Sequence, residues 1–165
     1  MKRLIAIVLS LLAMSYQNAL ACNDDAMAQL KQIETEKLLS NAPTFKQAWT
    51  AGAIGIKFTS PQASDDQCVA LFEIKLPQVD IDEATQHLDQ NPAKRILIAA
   101  QGYAVPEKSV IEIPYYYQMT DNKVVPIDLK NTELKSLHNN LEYTYQLLAQ
   151  LRANVDEKSI NQTPW

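Results

Sequence analysis

The stretch Cys68–Leu76, CVALFEIKL, alternates: Cys68, Ala70, Phe72, Ile74 and Leu76 fall on one side of an extended chain, and Val69, Leu71, Glu73 and Lys75 on the other. A period of two marks a strand with one face in a core, so the Cys68 sulfur is expected to point inward. Upstream, Ile54, Ile56 and Phe58 alternate in the same way, and the polar run Ser60–Gln67 turns the chain back, which reads as a hairpin. A second hairpin is read from Val110–Met119 and Lys123–Leu129 around Thr120-Asp121-Asn122. Pro114 and Pro126 fall inside those two runs. Proline cannot donate to a ladder, so both strands are expected at edges or with bulges.

The remaining elements read as helices from their punctuation. Asp25 is the expected N-cap of a helix reaching about Leu39, with Met27, Leu30, Ile33 and Leu38 on its apolar side. Thr44–Gln47 has capping-box spacing before a short helix closed by Gly52. Asp80-Ile81-Asp82-Glu83 reads as another capped start, and Asn91-Pro92 restarts a helix that Gly102 closes. Ile96–Ala99 taken alone also fits a buried strand; the proline and glycine around it favour helix. Asn131 or Thr132 caps a last helix running to about Asp156. Its residues Leu134, Leu137, Leu141, Thr144, Leu148, Leu151 and Val155 form a stripe that suits either a core helix or a short coiled-coil seam, and the core reading is preferred. The expected fold class is α+β: an antiparallel sheet of about four strands (two hairpins), helices packed on one face, and an N-terminal helix tied by a disulfide.

The ends of the chain carry their own signals. Met1-Lys2-Arg3 is basic, Leu4–Met14 is apolar but for Ser10, and Ala19-Leu20-Ala21 is an A-x-A cleavage site, so residues 1–21 read as a signal peptide. Residues 22–155 are then a single α+β domain and 156–165 a flexible tail. Export places the protein in the periplasm or outside the cell, and the short leader with its basic start fits a bacterium. No later segment approaches the roughly 20 apolar residues of a membrane span.

There are two cysteines, Cys22 and Cys68. In an oxidising compartment a pair closes, and a bridge would pin the mature N-terminus to the sheet. Two rival readings of Cys22 stand beside the disulfide. Ala19-Leu20-Ala21-Cys22 has some features of a lipobox, with alanine where leucine is usual, so Cys22 is also a candidate lipid anchor. A reactive thiol is disfavoured by Asp24 and Asp25, which oppose a thiolate.

Several chemistries lack their residues. Loss of Lys2 and Arg3 with the leader takes the net charge from −4 to −6, and Lys94-Arg95 is the only adjacent basic pair left, so nucleic acid is not an expected partner. Three glycines, unclustered, exclude a phosphate-cradling loop. No catalytic residue, metal ligand or cofactor is assigned. The enzyme alternative rests on His87 and His138, each with a glutamate four residues away (Glu83 and Glu142), as a small hydrolase or metal site using nearby carboxylates. A structural envelope lipoprotein anchored at Cys22 is a further alternative.

The tyrosines are the most unusual feature. Of seven, all but Tyr16 fall between Tyr103 and Tyr145, and Tyr115, Tyr116 and Tyr117 are consecutive. Exposed tyrosines offer rigid contact area with a polar tip. The expected partner-binding positions are therefore Tyr115, Tyr116, Tyr117, Asp121 and Asn122. The expected function is an exported, non-enzymatic protein-binding module of the cell envelope, in the manner of inhibitors and immunity proteins, which share this small, acidic, exported profile.

Overall fold

The computed structural model describes Cys22 and residues 24–41, 43–64 and 67–160. The expected leader (1–21) and residues 161–165 of the expected tail lie outside them. Among the described residues are helices α1 (Asp24–Asn41), α2 (Pro43–Thr50), α3 (Gln78–Asp89), α4 (Pro92–Ala100) and α5 (Thr132–Ile160). The strands are β1 (Gly55–Ser64), β2 (Gln67–Lys75), β3 (Val110–Thr120) and β4 (Lys123–Pro126). They form one antiparallel sheet in the order β1-β2-β3-β4, two hairpins side by side, with α3 and α4 inserted between β2 and β3. Residues 93–100 are helical, as the proline and glycine signals require, and α5 continues to Ile160.

The chain divides into two compact units: one joins the N-terminal part of α1 to residues 57–73 and 112–132, and the other holds residues 35–56, 74–111 and 133 onward. The first holds most of β2, whose burial follows the sequence pattern from Cys68 through Phe72 in this unit. Phe58 lies 5.2 Å, centroid to centroid, from both Phe72 and Tyr115, edge-on to each. Such aromatic pairs contribute about 0.5–1.5 kcal/mol beyond the area they bury. Cys22 and Cys68 are joined as a disulfide with Cα atoms 5.7 Å apart, which ties the start of the described chain to β2. The bond takes up the Cys22 sulfur that a lipid thioether needs.

The β3–β4 hairpin turns through Asp121 (φ 51°) and Asn122 (φ 61°). Two successive positive φ values are the type I′ arrangement, and Asp and Asn are among the few non-glycine residues that adopt them at low cost. The register pairs Thr120 with Lys123 and Tyr117 with Pro126. Hydrogen-bonded positions alternate along an antiparallel pair, so the Pro126 nitrogen faces the sheet's free edge, as expected. The expectation for Pro114 is corrected, because β3 lies inside the sheet. Tyr116 bonds toward the β4 side, its carbonyl accepting from Ile127 N at 3.0 Å. By the same parity Pro114 faces that side too, beyond the end of β4, where no ladder donor is required.

The β4 edge is also covered. Gln29 of α1 accepts from Val124 N (3.1 Å) through Oε1 and donates to Asn122 O (3.3 Å) through Nε2. A side-chain amide thus takes the place of a neighbouring strand, blunting an edge that otherwise invites pairing. Gln29→Ala is expected to cost about 1–2 kcal/mol in urea unfolding, because the Val124 N–H loses its partner. It is also expected to raise light scattering at high protein concentration; an unchanged midpoint and no scattering would show that the amide does not guard the edge.

In the second unit α5 presents Leu134, Leu137, Leu141, Thr144 and Leu148 inward, all buried, so the stripe serves a core. Thr144 satisfies its hydroxyl on the Asn140 carbonyl one turn back (2.7 Å). Tyr145 packs edge-on against Phe45 of α2 at 5.2 Å. Asp80 is not a cap as expected: α3 opens at Gln78 after Pro77, and Asp80 is buried. Its carboxylate accepts from the Tyr145 hydroxyl (3.1 Å) and from Arg152 Nη2 (2.6 Å). Arg152 also donates to Glu83 at 2.7 and 3.2 Å, so one guanidinium clamps α5 to α3.

Candidate functional site

Of the five positions expected to meet a partner, Tyr115 and Tyr117 are corrected: both are fully buried. They share the inward parity of Ile113, and the sheet needs that face for its core. The Tyr115 hydroxyl donates to Glu34 Oε1 at 2.7 Å. Burial, and then the Glu34 carboxylate, raise its pKa well beyond the ordinary phenol range. Tyr117 is pushed up to about 12 by burial alone, and its hydroxyl has no hydrogen-bond partner among the described residues. Tyr116 is half-buried on the opposite face, with Lys130 Nζ 5.8 Å above its ring and its N–H and C=O both held by the Asn131 side chain at 2.8 Å. Asp121 and Asn122 are exposed at the turn. In β4 Val125 is 45% exposed, and Leu129, past the end of that strand, 92%.

The histidine pairs do not gather. His87 Nε2 lies 3.4 Å from Lys94 Nζ, while Glu83, its expected companion, is bound by Arg152. Glu142 accepts from Gln146 at 3.1 Å. Among the described residues no group of three His, Cys, Asp or Glu side chains is placed to hold a metal. Around the buried Asp80, Tyr145 is raised beyond the ordinary phenol range, by burial first and the adjacent carboxylate second. The hydrogen bonds that Arg152 donates to Glu83 and Asp80 raise its pKa further above the usual value. This arrangement keeps the phenol neutral and the guanidinium charged, which suits a clamp.

The surface that sequence reasoning missed is α4. Ile96–Ala99 also fits a buried strand when taken alone, yet within Pro92–Ala100 only Ile98 is buried. Ile96 is 71% and Leu97 58% exposed. At about 100° per residue, Ala93, Ile96, Leu97 and Ala100 share one arc, and Ile98 lies on the other side. The signal was legible on a helical wheel, because a helix cannot bury Ile98 and Ile96 against the same layer.

On its other side α4 borders a groove of about 720 Å³ that also involves α3 and residues 103–107. Ile81, Leu88 and Ile98, all buried, form the floor. Asp82, Asp89, Arg95 and Glu107 line the walls. The third wall is fixed by the end of α4: Gly102 (φ +83°) bonds to Ala99 O at 3.0 Å and Tyr103 N to Ile98 O at 3.0 Å, a Schellman closure that depends on a positive φ. The Tyr103 ring then stacks on Tyr143 (5.5 Å), and Ala104 N bonds to Asn140 Oδ1 (2.9 Å). No described helix is long and apolar enough to cross a membrane. No protein-family model, curated protein or solved structure matches the chain.

Proposed function

We propose that this is an exported, non-enzymatic protein-binding module of the cell envelope that docks its partner through α4. The observation that carries the reading is the exposure of Ile96 and Leu97 on a helix whose outward arc is wholly apolar. Exposed apolar patches on small proteins mark interaction sites. The spacing Ala93, Ile96, Leu97, Ala100 is that of the anchors by which a helix enters a hydrophobic groove on another protein. The Schellman closure and the Tyr103–Tyr143 stack hold the C-terminal end of α4 in place, which limits the ordering cost of association.

A second reading keeps the hairpin, favoured by the exposure of Val125 and Leu129. It is the weaker of the two, because Gln29 and Pro126 close the strand edge to pairing and Lys130 covers the Tyr116 ring.

Native mass spectrometry of the protein isolated from its host's envelope decides between them. A stoichiometric companion is expected, lost in the Ile96→Glu/Leu97→Glu variant at unchanged circular dichroism and retained in Val125→Glu/Leu129→Glu. Loss only in the hairpin variant moves the site to β4. A companion retained in both, or none at all, overturns the proposal.

A further inference from the structure

The groove beside α4 has chemistry of its own. Its lining carries three acids, Asp82, Asp89 and Glu107, against one base, Arg95. Arg95 is ion-paired with Asp89, so that pair is neutral as a unit. Asp82 accepts from the Gln78 side chain at 2.8 Å, and neither it nor Glu107 makes an ion pair among the described residues. Two negative charges thus stand on the walls above an apolar floor of Ile81, Leu88 and Ile98. An anion is repelled by this arrangement, and a purely apolar ligand leaves both carboxylates unmatched.

We infer that the groove receives a short basic peptide segment of the partner, an apolar side chain resting on Ile81, Leu88 and Ile98 and lysine or arginine reaching Asp82 and Glu107. The inference rests on the docking reading above and deepens it, since the groove adjoins α4 on the side opposite Ile96 and Leu97. Its volume falls in the range of sites that enclose a drug-sized ligand or a few residues, roughly 300–1,000 Å³. Charge complementarity selects the partner and speeds encounter more than it adds affinity, so the apolar floor supplies grip and the carboxylates supply choice. The walls are set before binding: α3 and α4 are joined through the Arg95–Asp89 pair, and residues 103–104 are anchored to α5.

The test is calorimetric titration of the full disulfide-bonded protein with the peptide acetyl-Lys-Leu-Lys-Leu-Lys-amide, and with the same peptide carrying glutamate for lysine. The lysine peptide is expected to bind with a Kd on the order of 10–500 μM and to weaken several-fold when sodium chloride is raised from about 50 to 300 mM. The glutamate peptide is expected not to bind. Asp82→Asn/Glu107→Gln, which keeps side-chain size, is expected to weaken binding at least about tenfold at low salt without changing the melting temperature. Glu133→Gln, which removes an exposed carboxylate that does not line the groove, is expected to leave it unchanged. Equal binding of both peptides, no binding of the lysine peptide, or full affinity in the carboxylate variant overturns the inference. So does concentration-dependent self-association competed by the peptide, which assigns the groove to a second copy of the chain. Loss of this inference with the native companion still dependent on Ile96 and Leu97 leaves the docking reading standing.

Discussion

Raising the pH through about 11–12 unfolds this protein cooperatively, with the tyrosines ionising as it opens. Tyr115, Tyr117 and Tyr145 are buried, and all three are raised above the ordinary 10.0, Tyr117 to about 12. For Tyr115 and Tyr145 burial is the first cause and a neighbouring carboxylate, Glu34 or Asp80, the second. A phenol with a higher pKa folded than unfolded contributes its full stability below pH 10. That contribution is lost as the pH climbs from the unfolded value through the folded one, because only the unfolded chain gives up its proton. Each tyrosine removes about 1.4 kcal/mol per pH unit over that window, and three together about 4. A domain of ordinary stability, about 5–15 kcal/mol, does not survive far into it. The check is tyrosinate absorbance against circular dichroism in one titration: the two are expected to move together. Tyrosinate appearing near pH 10 with the fold intact would show that these rings are not packed as described. Tyr117→Phe is expected to raise the midpoint. At neutral pH it is expected to be neutral or to add up to about 1 kcal/mol, since the hydroxyl it removes is buried without a hydrogen-bond partner.

Opening the Cys22–Cys68 bond has the next largest effect. The bridge spans 46 residues of sequence. Closing a loop of that length removes chain entropy from the unfolded state worth about 4 kcal/mol. Reduction, or Cys22→Ser, is therefore expected to lower the melting temperature by about 10–20 °C. Cys22→Ser is the better variant, because Cys68 is buried on the inner face of β2 and its replacement disturbs packing as well. The mass of the native protein, two hydrogens below the reduced value, checks the bond directly. A melting temperature unchanged by reductant, or a diacylglyceryl mass on Cys22, would refute it.

Much of the candidate docking surface was written in the sequence without being recognisable as surface. The spacing of Ala93, Ile96, Leu97 and Ala100 is plain, as are the proline and glycine that bound the helix. Apolar residues at helical spacing ordinarily mean core, and nothing local says whether another element covers them. A related ambiguity holds at Tyr115–Tyr117. Alternation shows that Tyr116 opposes its neighbours, but the face that receives the core depends on what packs there. Asp80 had the position and residue type of a helix cap, yet Tyr145 and Arg152, far along the chain, turn it inward.

Local chemistry determined the elements of this protein. Period-two alternation made β2, Asp-Asn at positive φ made the β3–β4 turn, Gly52 and Gly102 closed α2 and α4, and the Leu134–Leu148 stripe made α5 a core helix. Each of these is a preference of a few neighbouring residues, and it holds wherever the segment lies. Tertiary structure alone decided that β3 is interior, that a glutamine in α1 closes the edge of β4, that two tyrosines are buried while α4 stays bare, and that acids converge around an apolar groove. Those outcomes depend on which surfaces compete for the same buried space, and that competition is settled between residues distant in sequence.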